Sequence, residues 1–134
     1  MYSQVEGLER EQLRLLQDER LRNTISYLSE KVPFYRKRFD QLDLQPEDIH
    51  SVEDLPKLPF TRKQDLQDHY PFGLLVVPRE QTIRVHASSG TTGKATIVCY
   101  TPRDIALFSE VMARSFVAAG VRPGMQLHNA FCFL

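Results

Sequence analysis

From Leu8 to Val32 the apolar positions return at helical spacing: Leu8, Leu15 and Leu16, Leu21, Ile25, Leu28 and Val32. Glu11, Arg14, Asp18, Glu19 and Arg22 fill the intervening positions. The pattern predicts one long amphipathic helix that docks its apolar side on its own domain. Pro33 stops it, and Phe34, Tyr35, Phe39 and Leu42 mark a second, shorter helix. Pro46, Pro56 and Pro59 then punctuate a loop-rich stretch from 43 to 60, with short apolar contacts from Ile49, Val52, Leu55 and Leu58. Thr61, with Gln64 three residues on, reads as the cap of a short helix that ends before Pro71. "GLLVVP" that follows reads as a short strand or a packed connector.

Near residue 82 the period changes from helical to alternating. In "TIRVHA", Ile83 and Val85 alternate with Arg84 and His86, which predicts a half-buried strand, and "TIVCY" resumes strand character from Thr96. Thr101-Pro102-Arg103-Asp104 is a helix start: a hydroxyl cap, proline at the first helical position and a carboxylate at the third. Ile105, Phe108, Val111, Met112, Ser115, Phe116 and Ala119 share one face, read as core, and Gly120 ends the helix. Pro123-Gly124 makes a turn, and "MQLHNAFCFL" reads as a further strand running to the last residue. Such a strand offers an unpaired edge, so the sheet is expected to be incomplete. The fold class is therefore α/β or α+β. Residues 1–80 form a helical segment and connector, and residues 81–134 form the start of a sheet domain.

Composition narrows the functions. The 134 residues are 42% hydrophobic and 25% charged, a globular balance. Seventeen basic residues offset seventeen acidic ones, which argues against a broad nucleic-acid surface while allowing a local anion site. The N-terminus lacks the pattern of a secretory signal, and no apolar run approaches the ~20 residues of a membrane span. Cys99 and Cys132 make no metal spacing and read as reduced thiols, so a cytoplasmic setting is expected, with no nucleic-acid or membrane partner and no metal ligands.

The candidate chemistry sits between the two predicted strands, in "HASSGTTGKATIVCY" (86–100). Ser88, Ser89, Thr91 and Thr92 bring hydroxyls, Gly90 and Gly93 allow close backbone approach, and Lys94 brings the charge. Converging amides, hydroxyls and one cation suit a phosphate chain. The stretch is no Walker A loop: Ser88 stands where the first glycine belongs, Ala95 where the magnesium-binding hydroxyl belongs, and a strand follows instead of a helix. By composition alone a hairpin without ligand fits too.

The order of residues says more. "SSGTTGKAT" closely resembles the phosphate-binding signature of the adenylate-forming acyl-CoA synthetases, in the form of their phenylacetate–CoA ligase branch. "ERLRNTISYLSEKVPFYRKRFD", "SVEDLPKLPFTRKQDLQDHYPFGLLVVPRE" and "VMARSFVAAGVRPGM" are similar to that branch in order and spacing, across nearly the whole chain. The resemblance implies part of the mixed-sheet N-terminal domain of an AMP-forming aryl-acid–CoA ligase. Such an enzyme uses ATP, Mg²⁺ and coenzyme A to convert phenylacetate or a related acid to its thioester. It implies that Ser88, Ser89, Gly90, Thr91, Thr92, Gly93 and Lys94 hold the ATP phosphates, and that Phe131 and Phe133 contribute to an aryl pocket. Ala95 stands where the branch carries proline, and Cys132 and Leu134 stand where it carries glycines. Later parts of the ligases, including the lysine-bearing C-terminal domain, have no counterpart here, so a fragment inactive on its own is expected. Two alternatives stay open: a non-catalytic module that forms a homo-oligomer through the leading helix or last strand, and a fragment of a related enzyme such as a coenzyme F390 synthetase-like protein.

Overall fold

The computed structural model describes residues 4–88 and 95–128. A short 3₁₀ turn, Gln4–Gly7, leads into α1 (Arg10–Lys31). Glu9 caps α1 and donates its backbone N–H to Gln12 Oε1 at 3.2 Å. The helix stops where Val32 turns extended ahead of Pro33, which opens α2 (Pro33–Gln41) at its first position, where the missing N–H costs nothing.

After α2 the chain reverses at Asp43, whose φ of 49° lies in the left-handed region that a short polar side chain tolerates. The Leu44 amide bonds back to the Phe39 carbonyl at 3.0 Å, and the reversal drives Leu44 inward. Ile25, Phe39, Leu44 and Ile49 thus form one buried cluster, with Leu21, Tyr35 and Leu58 packed on its edge. Ile49 is the deepest, 1% exposed. The long helix does dock on its own domain, but through Leu21 and Ile25 rather than its whole apolar series, for Leu15 is exposed.

The predicted loop at 43–60 is two 3₁₀ turns, Pro46–Asp48 and Val52–Lys57. Polar bonds hold it along α1: Asp18 Oδ1 accepts from the Val52 amide at 2.9 Å, and Arg22 donates to the His50 carbonyl at 2.6 Å. Asp54 accepts from the His50 and Ser51 amides and pairs with Lys57 at 2.7 Å. The Lys57 ammonium, followed by those amides, holds its carboxyl well below the usual range.

The next helix corrects one expectation. α3 (Lys63–Asp68) is capped by Arg62, whose amide donates to Asp65 Oδ2 at 2.7 Å, not by Thr61 with Gln64. Gln64 instead binds Asp68, and the Thr61 hydroxyl meets the Tyr35 hydroxyl at 2.7 Å. The physical reason is that Asp65, three residues after Arg62, closes its carboxylate on the Arg62 amide, while the Thr61 hydroxyl is engaged by Tyr35 of α2. "GLLVVP" is a connector without strand pairing.

A last 3₁₀ turn, Arg79–Gln81, precedes the hairpin of β1 (Arg84–Ala87) and β2 (Ile97–Tyr100). The strands pair antiparallel, with Arg84 opposite Tyr100 and Ala87 opposite Ile97. β1 was expected to be half buried. It is exposed along its whole length, because no described element lies over it.

α4 (Pro102–Ala118) follows the predicted start: Thr101 Oγ1 accepts from the Asp104 amide, and Asp104 accepts from the Thr101 amide and hydroxyl, both at 2.8 Å. Gly120, at φ 96°, ends the helix. Its apolar face is not core, however: no residue of α4 is buried. The predicted last strand is absent from Met125–His128, which pairs with nothing as a strand among the described residues. Its remainder, 129–134, lies outside the described residues.

Bonds from Thr101 hold the Asp104 carboxyl below its ordinary value. A group depressed in the folded state contributes stability that is complete above its unfolded value and is lost as pH falls through its folded value. The stability difference between the native chain and Asp104→Ala should therefore be constant from pH 8 to about 5 and shrink below about 4. Urea unfolding at a series of pH values checks this. A difference that grows as pH falls would contradict it.

Candidate phosphate-binding hairpin

The hairpin raises the candidate loop on two paired strands. Below, the Ile83 amide bonds to the Tyr100 carbonyl at 2.8 Å. Above, the ladder runs one step past Ala87–Ile97: the Ser88 amide donates to the Thr96 carbonyl, and the Thr96 amide donates to Ser88 Oγ, each at 3.0 Å. Two bonds thus close the neck of the loop, and the residues between must bridge a gap set by one antiparallel pair.

Of the proposed phosphate ligands, Ser88 alone lies in the described residues; Ser89, Gly90, Thr91, Thr92, Gly93 and Lys94 lie outside them, as do Phe131 and Phe133. Ser88 stands at the neck, with its hydroxyl oxygen already accepting from Thr96. That leaves its O–H free to donate, so neck closure and anion contact are compatible for one hydroxyl. Thr96 escaped the sequence reading. The alternation on both sides of the loop could have found it, since pairing Ala87 with Ile97 sets Ser88 against Thr96.

Each face of the hairpin has its own surroundings. On one, the His86 and Tyr100 rings meet edge to face at 4.9 Å, and Tyr100 meets Phe108 of α4 at 6.4 Å. On the other, β2 and the connector after α3 enclose a cavity of about 220 Å³ lined by Leu66, His69, Phe72, Leu75, Ile97 and Cys99. The Cys99 thiol is free. His69 Nδ1 lies 2.7 Å from the Asp65 carbonyl, which orients the ring, and Phe34 packs on it edge to face at 4.9 Å. His69 thus meets Phe34 of α2 on one side and lines the cavity beside β2 on the other. Arg114 of α4 also reaches Glu6 at 2.9 Å, tying the start of the chain to the helix behind the hairpin.

Among the described residues no group of three or more His, Cys, Asp or Glu side chains could hold a metal ion. No helix among them is long and apolar enough to cross a membrane.

An α/β arrangement of this kind occurs in the CoA ligases. A solved structure of 2-hydroxyisobutyryl-CoA ligase with 2-HIB-AMP and CoA, in the thioesterification state, matches 87% of this chain and 26% of its own, with a TM-score of 0.80 and 30% identity. The same ligase in the postadenylation state with 2-HIB-AMP matches with a TM-score of 0.79 and 28% identity, over 87% of this chain and 25% of that one. In sequence, the chain is similar to phenylacetate-coenzyme A ligases: 58% identical over 128 residues to that of Thermus thermophilus, which is 96% of this chain. It is 50% identical over 127 residues to that of Aromatoleum evansii (95% of this chain) and 47% identical over 121 residues to that of Escherichia coli (90% of this chain). The chain spans 29%, 29% and 28% of the length of these relatives. Over nearly its whole length the chain thus matches one portion of the phenylacetate-coenzyme A ligases. No family model matches.

Proposed function

We propose that this chain supplies the ATP phosphate-binding hairpin of an AMP-forming aryl-acid–CoA ligase. In the reaction, a carboxylate oxygen of phenylacetate or a similar acid attacks the α-phosphorus of ATP, the bond to the bridging oxygen breaks, and pyrophosphate leaves. The thiol of coenzyme A then attacks the acyl carbon, loses its proton, and AMP departs from the thioester. The hairpin's part lies in the first step, where charge grows on the leaving pyrophosphate. Amides of Gly90 to Gly93 and hydroxyls of Ser88, Ser89, Thr91 and Thr92 bond the β- and γ-phosphates, and the Lys94 ammonium offsets their charge.

The observation that carries this reading is the neck: the Ser88–Thr96 bonds bring the ends of a Gly/Ser/Thr/Lys run together on a paired ladder. Holding Ser88 and Thr96 on the ladder fixes both ends of the run, which lowers the entropy that ligand binding must overcome. Magnesium enters as the partner of ATP's own phosphates. Phe131 and Phe133 are proposed to face the aryl group, residues 1–80 to brace the sheet portion 81–134, and the cytoplasm to be the setting in which Cys99 stays a thiol.

Calorimetric titration of the chain with ATP and Mg²⁺ tests the reading. Lys94→Ala should weaken binding about tenfold or more, which is ~1.4 kcal/mol. Equal affinities for the two proteins, or no binding by either, would remove the ligand from the loop.

A further inference from the structure

The hairpin and α4 form one mechanical unit. Thr101 alone separates β2 from α4, and its bonds with Asp104 fix the angle between them. Tyr100 meets Phe108 across that corner. The unit is joined to the helical segment by an apolar seam and by an ion pair. At the seam, Ile97 and Cys99 of β2 share the cavity of about 220 Å³ with Leu66, His69, Phe72 and Leu75. All six side chains are only half-buried. A close-packed seam resists parting because each atom has a partner opposite, and a cavity forfeits those contacts. The ion pair is Arg114 Nε to Glu6 Oε1 at 2.9 Å, which joins the first 3₁₀ turn to α4 across 108 residues of chain. The two side chains are 38% and 28% exposed. That shields the pair enough for it to contribute, yet leaves it open to screening by salt.

We infer that the Gln4–Gly7 turn is a salt-sensitive strap on α4. While Glu6 holds Arg114, the hairpin unit stays closed on the connector after α3; when the pair parts, the unit swings and the cavity seam opens. The pivot is the 3₁₀ turn Arg79–Gln81, exposed at all three residues, through which the chain enters β1. A few loop residues of this kind suffice to absorb a hinge rotation. Arg79 also stacks on the Phe72 ring at 4.6 Å, which keeps the pivot beside the seam. The moving unit carries the Gly/Ser/Thr/Lys run, so the strap sets where that run sits relative to α1–α3. The inference rests on neither the ligase reading nor ATP binding.

Cys99 reports on the seam, because its free, half-buried thiol lines the cavity. In a Cys132→Ser background it is the sole thiol, and its alkylation by iodoacetamide under native conditions measures opening. Arg114→Ala should speed that reaction about threefold or more, the effect of losing a partly shielded pair. The exchange Glu6→Arg, Arg114→Glu should return the rate toward the native value. Raising NaCl from about 0.05 to about 0.5 M should speed the native protein and leave Arg114→Ala nearly unchanged. Urea well below the unfolding midpoint should alter the rates little, because a local opening exposes little surface. Equal rates for the native protein and Arg114→Ala would overturn the inference. So would an exchange variant as fast as Arg114→Ala, or rates that climb with urea as steeply as global unfolding does. Each of these can occur while ATP binding by the loop stands.

Discussion

Phe39→Ala is expected to destabilise the chain by about 3–5 kcal/mol, the range for deleting a buried aromatic side chain. Phe39 is 3% exposed and stands among Ile25, Leu44 and Ile49, with the Tyr35 ring 6.3 Å away. Its removal takes away the transfer energy of the ring and leaves a cavity. The cavity cannot easily collapse, since Asp43 and the bond from the Leu44 amide to the Phe39 carbonyl hold the neighbouring backbone in place. Domains of this size have about 5–15 kcal/mol in all, so the loss is a large share. Urea unfolding followed by far-ultraviolet circular dichroism measures it. A loss below about 1 kcal/mol would mean that this cluster is not what holds the helical segment together.

Asp65→Ala comes second, at about 2–3 kcal/mol, because one carboxylate serves two elements. Its Oδ1 accepts from Arg38 of α2 at 2.6 Å, and its Oδ2 accepts from the Arg62 amide that begins α3. The pair is worth more than a typical surface bridge: the two side chains are only 27% and 14% exposed, so water competes less. Arg38 is held on its other sides by the Phe60 carbonyl and by the Phe34 ring, 4.5 Å from its guanidinium carbon, and would stay in place with a charge uncompensated. Asp65→Asn should recover part of the loss, since an amide oxygen can still accept from Arg62. Urea midpoints of the three proteins, with hydrogen exchange at the Arg62 amide, check both halves. An alanine variant within 0.5 kcal/mol of the native chain would contradict the shared role.

Much of this was legible in the chain itself, and particular residues show why. Pro33 divides α1 from α2 because proline has no amide to continue a helix, whatever its neighbours. Thr101, Pro102 and Asp104 begin α4 by contacts within four residues, which need no tertiary partner. The Gly-Thr run was recognisable because residue order alone carries the resemblance to the ligases, and the 58% identity to the Thermus enzyme agrees with it. Misreadings fell where a distant group intervened. Thr61 has the right chemistry for a cap, but Tyr35, 26 residues earlier, engages its hydroxyl, and Asp65 bonds the Arg62 amide so that the helix starts one residue later. β1 and the α4 face have core-like patterns, yet alternation says only which side is apolar, not whether anything covers it.

The amino-acid order by itself determined where helices start and stop, that two strands flank the glycine loop, and which family of ligases the chain resembles. These are local matters, decided by dihedral preference, capping and spacing over a few residues. Only the tertiary structure decided that the core gathers around Phe39 and Ile49, that Ser88 and Thr96 close the loop's neck, and that α4 lies open. Each of those depends on which surfaces meet across tens of residues, and burial is a property of the meeting rather than of either sequence.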